Sequence, residues 1–518
     1  MIQTGPSSTT ALPANLFAEL DAGTGAGAAH VLERLRSLES DHARLGETIK
    51  SAISAVSPEP SKISGWDVLY DYIGVFVVAF LVSLLATPIM RRLAVSHGII
   101  DRPLEARKSH KLPTAYLGGA AVYLGMMAAI LFAYAADLHG LVRFHASEKN
   151  PGGLVASGVP ISILLGMTVI MLTGLIDDVV KISPRIKVAG QLVAAAALAI
   201  QNVGVKLAQQ IVVPAATALG VPVTEVNGVG TVAFNIPLGG GVEIPVDLVY
   251  WTGTALIAIF VLGACNASNL IDGLDGLLTG TTTIATAGLL VVALGMAAVD
   301  DGVLDGPRVI LCLSLLGACL GFLPHNFNPA SIFLGDAGSL LLGFCTIVII
   351  MTLGDTGRTN LVIAGLIIYS IPIMDTTLAI VRRKMAGKPL TAPDDQHLHH
   401  MLKRALGVKG AVLALYAIGV GFAILGVALA EGRGRVTYVI ALVFASFIIV
   451  TAIKIARRRH IEEQAAGFDA RKAGTVAARA AALGESAANG AGGLTGPVAA
   501  AREPIPAGGP QVIPRSAV

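Results

Sequence analysis

The feature that most constrains this chain is a series of apolar runs, each about as long as a bilayer's hydrocarbon core is thick. They lie near 69–90, 115–136, 158–176, 188–204, 248–265, 278–298, 309–323, 337–354, 360–381, 410–430 and 436–456. A helix needs roughly 20 apolar residues to cross that core. In lipid every backbone polar group must find its partner inside the protein, which helices achieve. The spacing therefore predicts an all-α polytopic membrane protein with about eleven transmembrane helices. Composition agrees: 54% of the residues are hydrophobic and only 14% charged, where soluble domains carry about 25%. A formal net charge of +3 is too small to point to nucleic acid, and none is expected as a partner.

Charge distribution says more than net charge. The loops after odd-numbered runs hold most of the cations: Arg91, Arg92, Arg102, Arg107, Lys108 and Lys111, then Lys181, Arg185 and Lys187, then Arg382, Arg383, Lys384, Lys403 and Arg404. The alternate loops hold few. Lys and Arg accumulate on the cytoplasmic side of membrane proteins, so these loops and the C-terminus are predicted to face the cytoplasm, with the N-terminus outside. The chain divides into an N-terminal extension (1–64), a transmembrane domain (65–457) and an Ala/Gly/Pro-rich tail (458–518) whose composition predicts disorder. Within the extension, Val31, Leu35, Leu38, Leu45 and Ile49 fit a short coiled coil or an amphipathic surface helix. The long segment 205–247 is predicted to lie outside, with a β-hairpin turning at Gly239–Gly241. Four cysteines (Cys265, Cys312, Cys319, Cys345) fall in or beside apolar runs and read as small buried hydrophobes.

Acids are costly beside a bilayer, and those that persist there mark function by default. Five stretches concentrate them, with lysines and histidines, on the side predicted to be cytoplasmic. "DRPLEARKSHKLPTAYLGG" (101–119) is cationic and ends in a glycine pair suited to close helix packing. "GLIDDVVKISPRIKVAGQ" (174–191) sets Asp177 and Asp178 at a helix end with Lys181 and Lys187 behind them. This is either a salt-bridged loop or a divalent-metal site with a phosphate-binding lysine. "NASNLIDGLDGL" (266–277) repeats polar residues every three positions, Asn266, Asn269, Asp272 and Asp275, as a stripe on one helical face. "HNFNPASIFLGDAGSLLLG" (325–343) opens an apolar helix with Asp336, which becomes a good metal ligand if it faces Asp177 and Asp178. "DDQHLHH" (394–400) places His397, His399 and His400 for contact with a pyrophosphate, since carboxylate-rich surroundings favour Mg²⁺ over zinc. Asp375, inside the ninth run, is a further buried acid to which the sequence assigns no partner. Carboxylates that hold a divalent ion, with cations around them, are the equipment of phosphoryl transfer. A transporter would hold its acids near the bilayer midplane.

These five stretches, in this order, resemble the polyprenyl-phosphate N-acetylhexosamine-1-phosphate transferases of glycosyltransferase family 4, across about residues 65–457. The resemblance implies transfer of a sugar-1-phosphate from a UDP-sugar to undecaprenyl phosphate, with release of UMP and with Mg²⁺, or Mn²⁺ in its place. It implies that Asp336 binds the metal, with Asp178, and that one of Asp177 and Asp178 acts on the lipid phosphate. It places Asp272 and Asp275 near the uridine and the floor of the site, and Asn269, Asn326 and Phe333 toward the nucleotide. Lys111 and Lys187 become phosphate contacts, and His397, His399 and His400 match a histidine motif near the sugar and pyrophosphate. The His-Leu-His-His form is similar to the branch that uses UDP-N-acetylglucosamine, with the muramoyl-pentapeptide branch and a nucleotide-sugar transporter as rivals. Two positions depart from the pattern: Asp395 stands where a basic residue is usual, and Ala115 where a proline is. A homodimer is compatible with the resemblance.

Overall fold

A computed structural model describes residues 64–101, 113–138, 158–299 (without 227–228 and 240–241), 304–385 (without 356) and 397–448 (without 433 and 435), with a few isolated positions besides. The N-terminal extension with its predicted coiled coil, Lys111, Asp395 and nearly all of the C-terminal tail lie outside the described residues.

Helices α1 (Gly65–Ser96), α2 (Gly118–Leu138), α3 (Ile161–Val180), α4 (Pro184–Ile200), α5 (Lys206–Ala218), α6 (Leu248–Ile271), α7 (Leu277–Ala297), α8 (Asp305–Asn326), α9 (Gly335–Thr352), α10 (Thr359–Ile368), α11 (Ser370–Met385) and α12 (Leu398–Ala430) make up the body. The eleven apolar runs fall on these and on a short apolar helix, Val436–Ile448. Among the described residues, eight helices are long and apolar enough to cross a membrane: α1, α2, α3, α6, α7, α8, α9 and α12. A ninth crossing arises if α10 and α11, bent by 77° at Tyr369, count as one broken span. The 188–204 run falls mainly on α4, whose 17 residues are short for a span and whose first turn carries the cations Arg185 and Lys187.

Helix α9 is the central strut. It packs against α3 on one side and α6 on another, with α2 close by, and nearly all its side chains are buried. Helix α1 lies at the rim and exposes Trp66, Tyr70, Leu85 and Ile89 outward, the surface that lipid covers. The strut sits tightly because glycines remove side chains where backbones meet. A Cβ at Gly119 would stand 2.1 Å from the Gly338 nitrogen, so the glycine pair foreseen in the sequence does join α2 to α9. Two small antiparallel hairpins, Thr224–Val226 with Val229–Thr231 and Ala233–Gly239 with Val242–Asp247, fill the segment before α6. The second is the hairpin expected around Gly239–Gly241. A two-stranded ribbon pairs Ile100–Asp101 with Thr114–Ala115. The four cysteines are buried and unbridged, as expected.

Candidate active site

The helix ends that carry the acidic stretches converge. Helix α3 stops at Lys181, whose left-handed backbone (φ 55°) turns the chain away. Its last turn presents Asp177 and Asp178 to the start of α9. The first amides of any helix lack intrahelical partners and carry partial positive charge. Asp178 satisfies two of them: its Oδ1 accepts the Asp336 N–H at 2.7 Å and its Oδ2 the Ala337 N–H at 3.0 Å. Gly335 is required there, since its φ is +72° and a Cβ would stand 2.5 Å from Asp178 Oδ2. Asp336 is thereby fixed at the first turn of α9.

Lys187, in the first turn of α4, ties the group together. Its Nζ lies 2.7 Å from Asp177 Oδ2 and 2.9 Å from Asp336 Oδ2. Burial disfavours the ammonium, but the two carboxylates outweigh it and raise the Lys187 pKa. The other Asp177 oxygen accepts the Ile182 N–H at 2.8 Å. Asn269 donates to the other Asp336 oxygen, Oδ1, and to Ser339 Oγ at 2.9 Å. The facing of Asp336 onto the Asp177–Asp178 pair, a condition in the sequence, is met.

The "NASNLIDGLDGL" stretch is only partly a helical stripe. Helix α6 ends at Ile271, so Asn266 and Asn269 share its face while Asp272 caps it and Asp275 sits in the following turn. The glycines at 273 and 276 release the helix and give the two acids different duties. Asp272 faces the cavity, half-buried, and its pKa is pushed up to about 8, first by burial and then by Asp336, Asp178 and Asp275. Asp275 turns to the 327–334 loop, accepting from Asn328 Nδ2 at 2.9 Å and the Ala330 N–H at 3.1 Å. Asn326 supports the same loop: it accepts from Thr279 and donates to the Ile332 carbonyl at 3.1 Å.

These groups line a cavity of about 780 Å³ that also takes in Phe333, Lys181, Leu274 and His400. Tyr116 lines it too, and the sequence reading missed that residue. Its ring lies 6.1 Å from that of Phe333, and its hydroxyl bonds to Asp101. The signal available was position alone, two residues before the glycine pair that docks on α9. Of the three histidines, His400 reaches the cavity. His397 and His399 are 6% and 1% exposed and turn toward Asp375, the acid left without a partner in the sequence.

Hard oxygen donors that open onto a cavity suit a divalent cation, which fills the rest of its shell with phosphate oxygens and water. Asp177 Oδ2 and Asp336 Oδ2 both approach one cation already, the Lys187 ammonium. A divalent ion held by these oxygens would take the seat that the ammonium fills, leaving Lys187 to meet a phosphate.

Residues 160–354 match the family described as Glycosyl transferase family 4. The chain is 32% identical over 385 residues to a Bacillus subtilis protein named "Probable undecaprenyl-phosphate N-acetylglucosaminyl 1-phosphate transferase", covering 73% of this chain and 91% of that one. It is 33% identical to a decaprenyl-phosphate N-acetylglucosaminephosphotransferase of Mycolicibacterium smegmatis, over 74% and 88% of the two chains. A phospho-N-acetylmuramoyl-pentapeptide-transferase of Shouchella clausii is more distant, at 28% over 70% and 97%. Apolar helices, converging acids and these relatives agree, and the chain belongs to glycosyl transferase family 4.

Proposed function

We propose that this protein transfers N-acetylglucosamine-1-phosphate from UDP-N-acetylglucosamine to a polyprenyl phosphate, undecaprenyl phosphate in the first instance, with release of UMP. This would be the first membrane step of a cell-envelope glycan. The observation that carries the reading is Lys187 seated between Asp177 and Asp336 where apolar helices end on an open cavity. The relatives of higher identity are named for GlcNAc-phosphate transfer rather than for the pentapeptide donor.

A phosphate oxygen of the lipid attacks the sugar-bearing phosphorus. A P–O bond forms there as the P–O bond to UMP breaks, and the electron pair leaves on the UMP phosphate. Such transfers depend mostly on positioning and on charge placed where negative charge gathers. Lys187 and Lys181 supply that charge, with Lys111 as a further phosphate contact. Asp177, at the cavity edge, is the carboxylate of the pair that stands beside Lys187 and Asp336. Asp178 holds α9 in place, because both of its oxygens already serve amides. Phe333 and Tyr116 form the aromatic wall against the nucleotide, Asn269 orients Asp336, and Asp275 and Asn326 hold the loop that carries Phe333.

Asp336 with Asp177 would hold Mg²⁺, or Mn²⁺ in its place; Asp178, the second ligand expected from the sequence, is spent on the helix cap. When bound, the ion offsets the charge of the phosphates brought together.

Arg91 and Arg92 lie near the C-terminal end of α1, Lys181 and Arg185 at the junction of α3 and α4, and Arg382 and Arg383 in the last turn of α11. This supports a cytoplasmic active site, an external hairpin and a cytoplasmic C-terminus. Eleven crossings would follow if α4 and Val436–Ile448 also span. A homodimer is compatible with this arrangement.

The test is UMP release by purified protein in detergent, given UDP-N-acetylglucosamine, undecaprenyl phosphate and Mg²⁺. Lipid-dependent UMP that disappears with chelator supports the reading. UMP only with the muramoyl-pentapeptide donor would keep the chemistry and overturn the sugar. Substrate movement without UMP would turn the reading to a transporter.

A further inference from the structure

Asp375 is almost completely enclosed, at 1% exposure, one turn past the 77° break between α10 and α11. A buried carboxylate is costly unless it is paired and hydrogen-bonded, and here both oxygens are occupied. Oδ1 accepts the Leu398 N–H at 2.7 Å, which caps the first turn of α12. Oδ2 lies 2.8 Å from Nδ1 of His397, the residue that precedes α12. His399 Nδ1 points at the same oxygen from 3.6 Å. The His399 ring contacts the other two, at 4.3 Å from His400 and stacked 5.4 Å from His397. Its far side meets Gly273, where a Cβ would stand 2.5 Å from Nε2. Gly273 and His400 both line the cavity.

We infer that Asp375 is a positioning residue that acts through His397 and His399 to aim His400 and the N-terminal end of α12 into the donor side of the cavity. Three features carry this. One carboxylate fixes both the backbone start of α12 and the ring of His397, so it sets the rotation of the first helical turn. His400 lies two residues beyond that anchor and cannot be aimed independently of it. His399 wedges between the anchor and Gly273, so the histidine cluster also bears on the turn that carries Asp272. His397 and His399, read from the sequence as contacts to substrate, thereby become the internal frame of the site, and His400 the contact.

This inference rests on the transferase reading, and its test separates the two. Wild type, Asp375→Ala, Asp375→Asn, His400→Ala and the double variant Asp375→Ala/His400→Ala are compared in detergent. UDP-N-acetylglucosamine binding is measured by calorimetry, and UMP release is measured against both substrates. Asp375→Ala is expected to weaken donor binding about tenfold and raise donor KM, with the lipid KM within about twofold of wild type. The double variant should lose little beyond His400→Ala, since residues acting through one another are not additive. Asp375→Asn, isosteric and still able to accept the Leu398 N–H, should recover part of the loss. Additive losses, or equal changes in both KM values, would overturn the inference. So would one equivalent of a transition metal in wild type that Asp375→Asn lacks, since the three donor atoms lie within 4.8 Å of one another. If Asp375→Ala does not fold, the same comparison is made with Asp375→Asn. Failure of wild type to release UMP would sink the transferase reading and leave the binding comparison in force.

Discussion

Helix α9 carries an ion pair near each end, and the two are built in opposite ways. At its N-terminus Lys187 bridges Asp177 and Asp336, with about a fifth of the lysine side chain and a quarter of the Asp336 side chain still exposed to the cavity. At its C-terminus Arg308, fully buried, pairs with Asp305 and donates from Nη2 to the Thr352 carbonyl at 2.7 Å. The first is open, shared among three helices, α3, α4 and α9, and has room for a ligand to compete. The second is closed, its ion pair local to one turn of α8, and it satisfies the Thr352 carbonyl at the end of the strut. Both place charge near a bilayer. Access distinguishes the working pair from the structural one.

The comparison can be broken by variants at either end. Asp336→Asn should reduce turnover by about 10³-fold or more, the scale of losing a principal electrostatic group in such a site, with the melting temperature little changed. Steady-state UMP release alongside thermal unfolding measures both. Arg308→Met should do the reverse: about 3–5 kcal/mol of stability lost, because the buried ion pair with Asp305 and the bond to the Thr352 carbonyl are both broken, with activity per folded molecule near wild type. Adding Asp305→Leu should recover much of that stability; if it does not, the closed pair contributes more than mutual neutralisation.

Asp178→Ala tests whether the open end also has a structural member. Loss of the α9 cap should cost about 1–2 kcal/mol and lower kcat through displacement of Asp336. An unchanged melting temperature with abolished turnover would instead make Asp178 a direct participant. The smallest effect concerns Asp272, whose pKa stands at about 8. It is neutral below that pH and anionic above it, so donor phosphates meet an added negative charge as pH rises. Donor KM should therefore climb several-fold between pH 7 and 9 in wild type. The profile should be flat in Asp272→Asn, and a climb that persists there assigns the titration elsewhere.

Much of this was legible in the residues. Apolar run length located the eight helices long enough to cross a membrane, because a bilayer sets one length scale for all of them, but it gave no sign of α5 or of the bend between α10 and α11. The glycine pair at 118–119 announced a close helix contact, and the acids at 177, 178, 272 and 336 announced a shared site. Other features were not legible. Asp178 and Asp177 are adjacent and alike in sequence, yet one caps a helix 158 residues away and the other meets a lysine. The three histidines read as equals, and burial separates them. Asp275 belonged to a predicted stripe that ends when α6 does.

The sequence by itself determined the solvent, the elements and the chemical class, because hydrophobic length, charge bias and motif order are local properties of the chain. Only the tertiary structure decided which carboxylate meets a cation, which meets an amide and which meets a histidine. Those assignments depend on where helix ends converge, and that is fixed by packing between segments far apart in the chain.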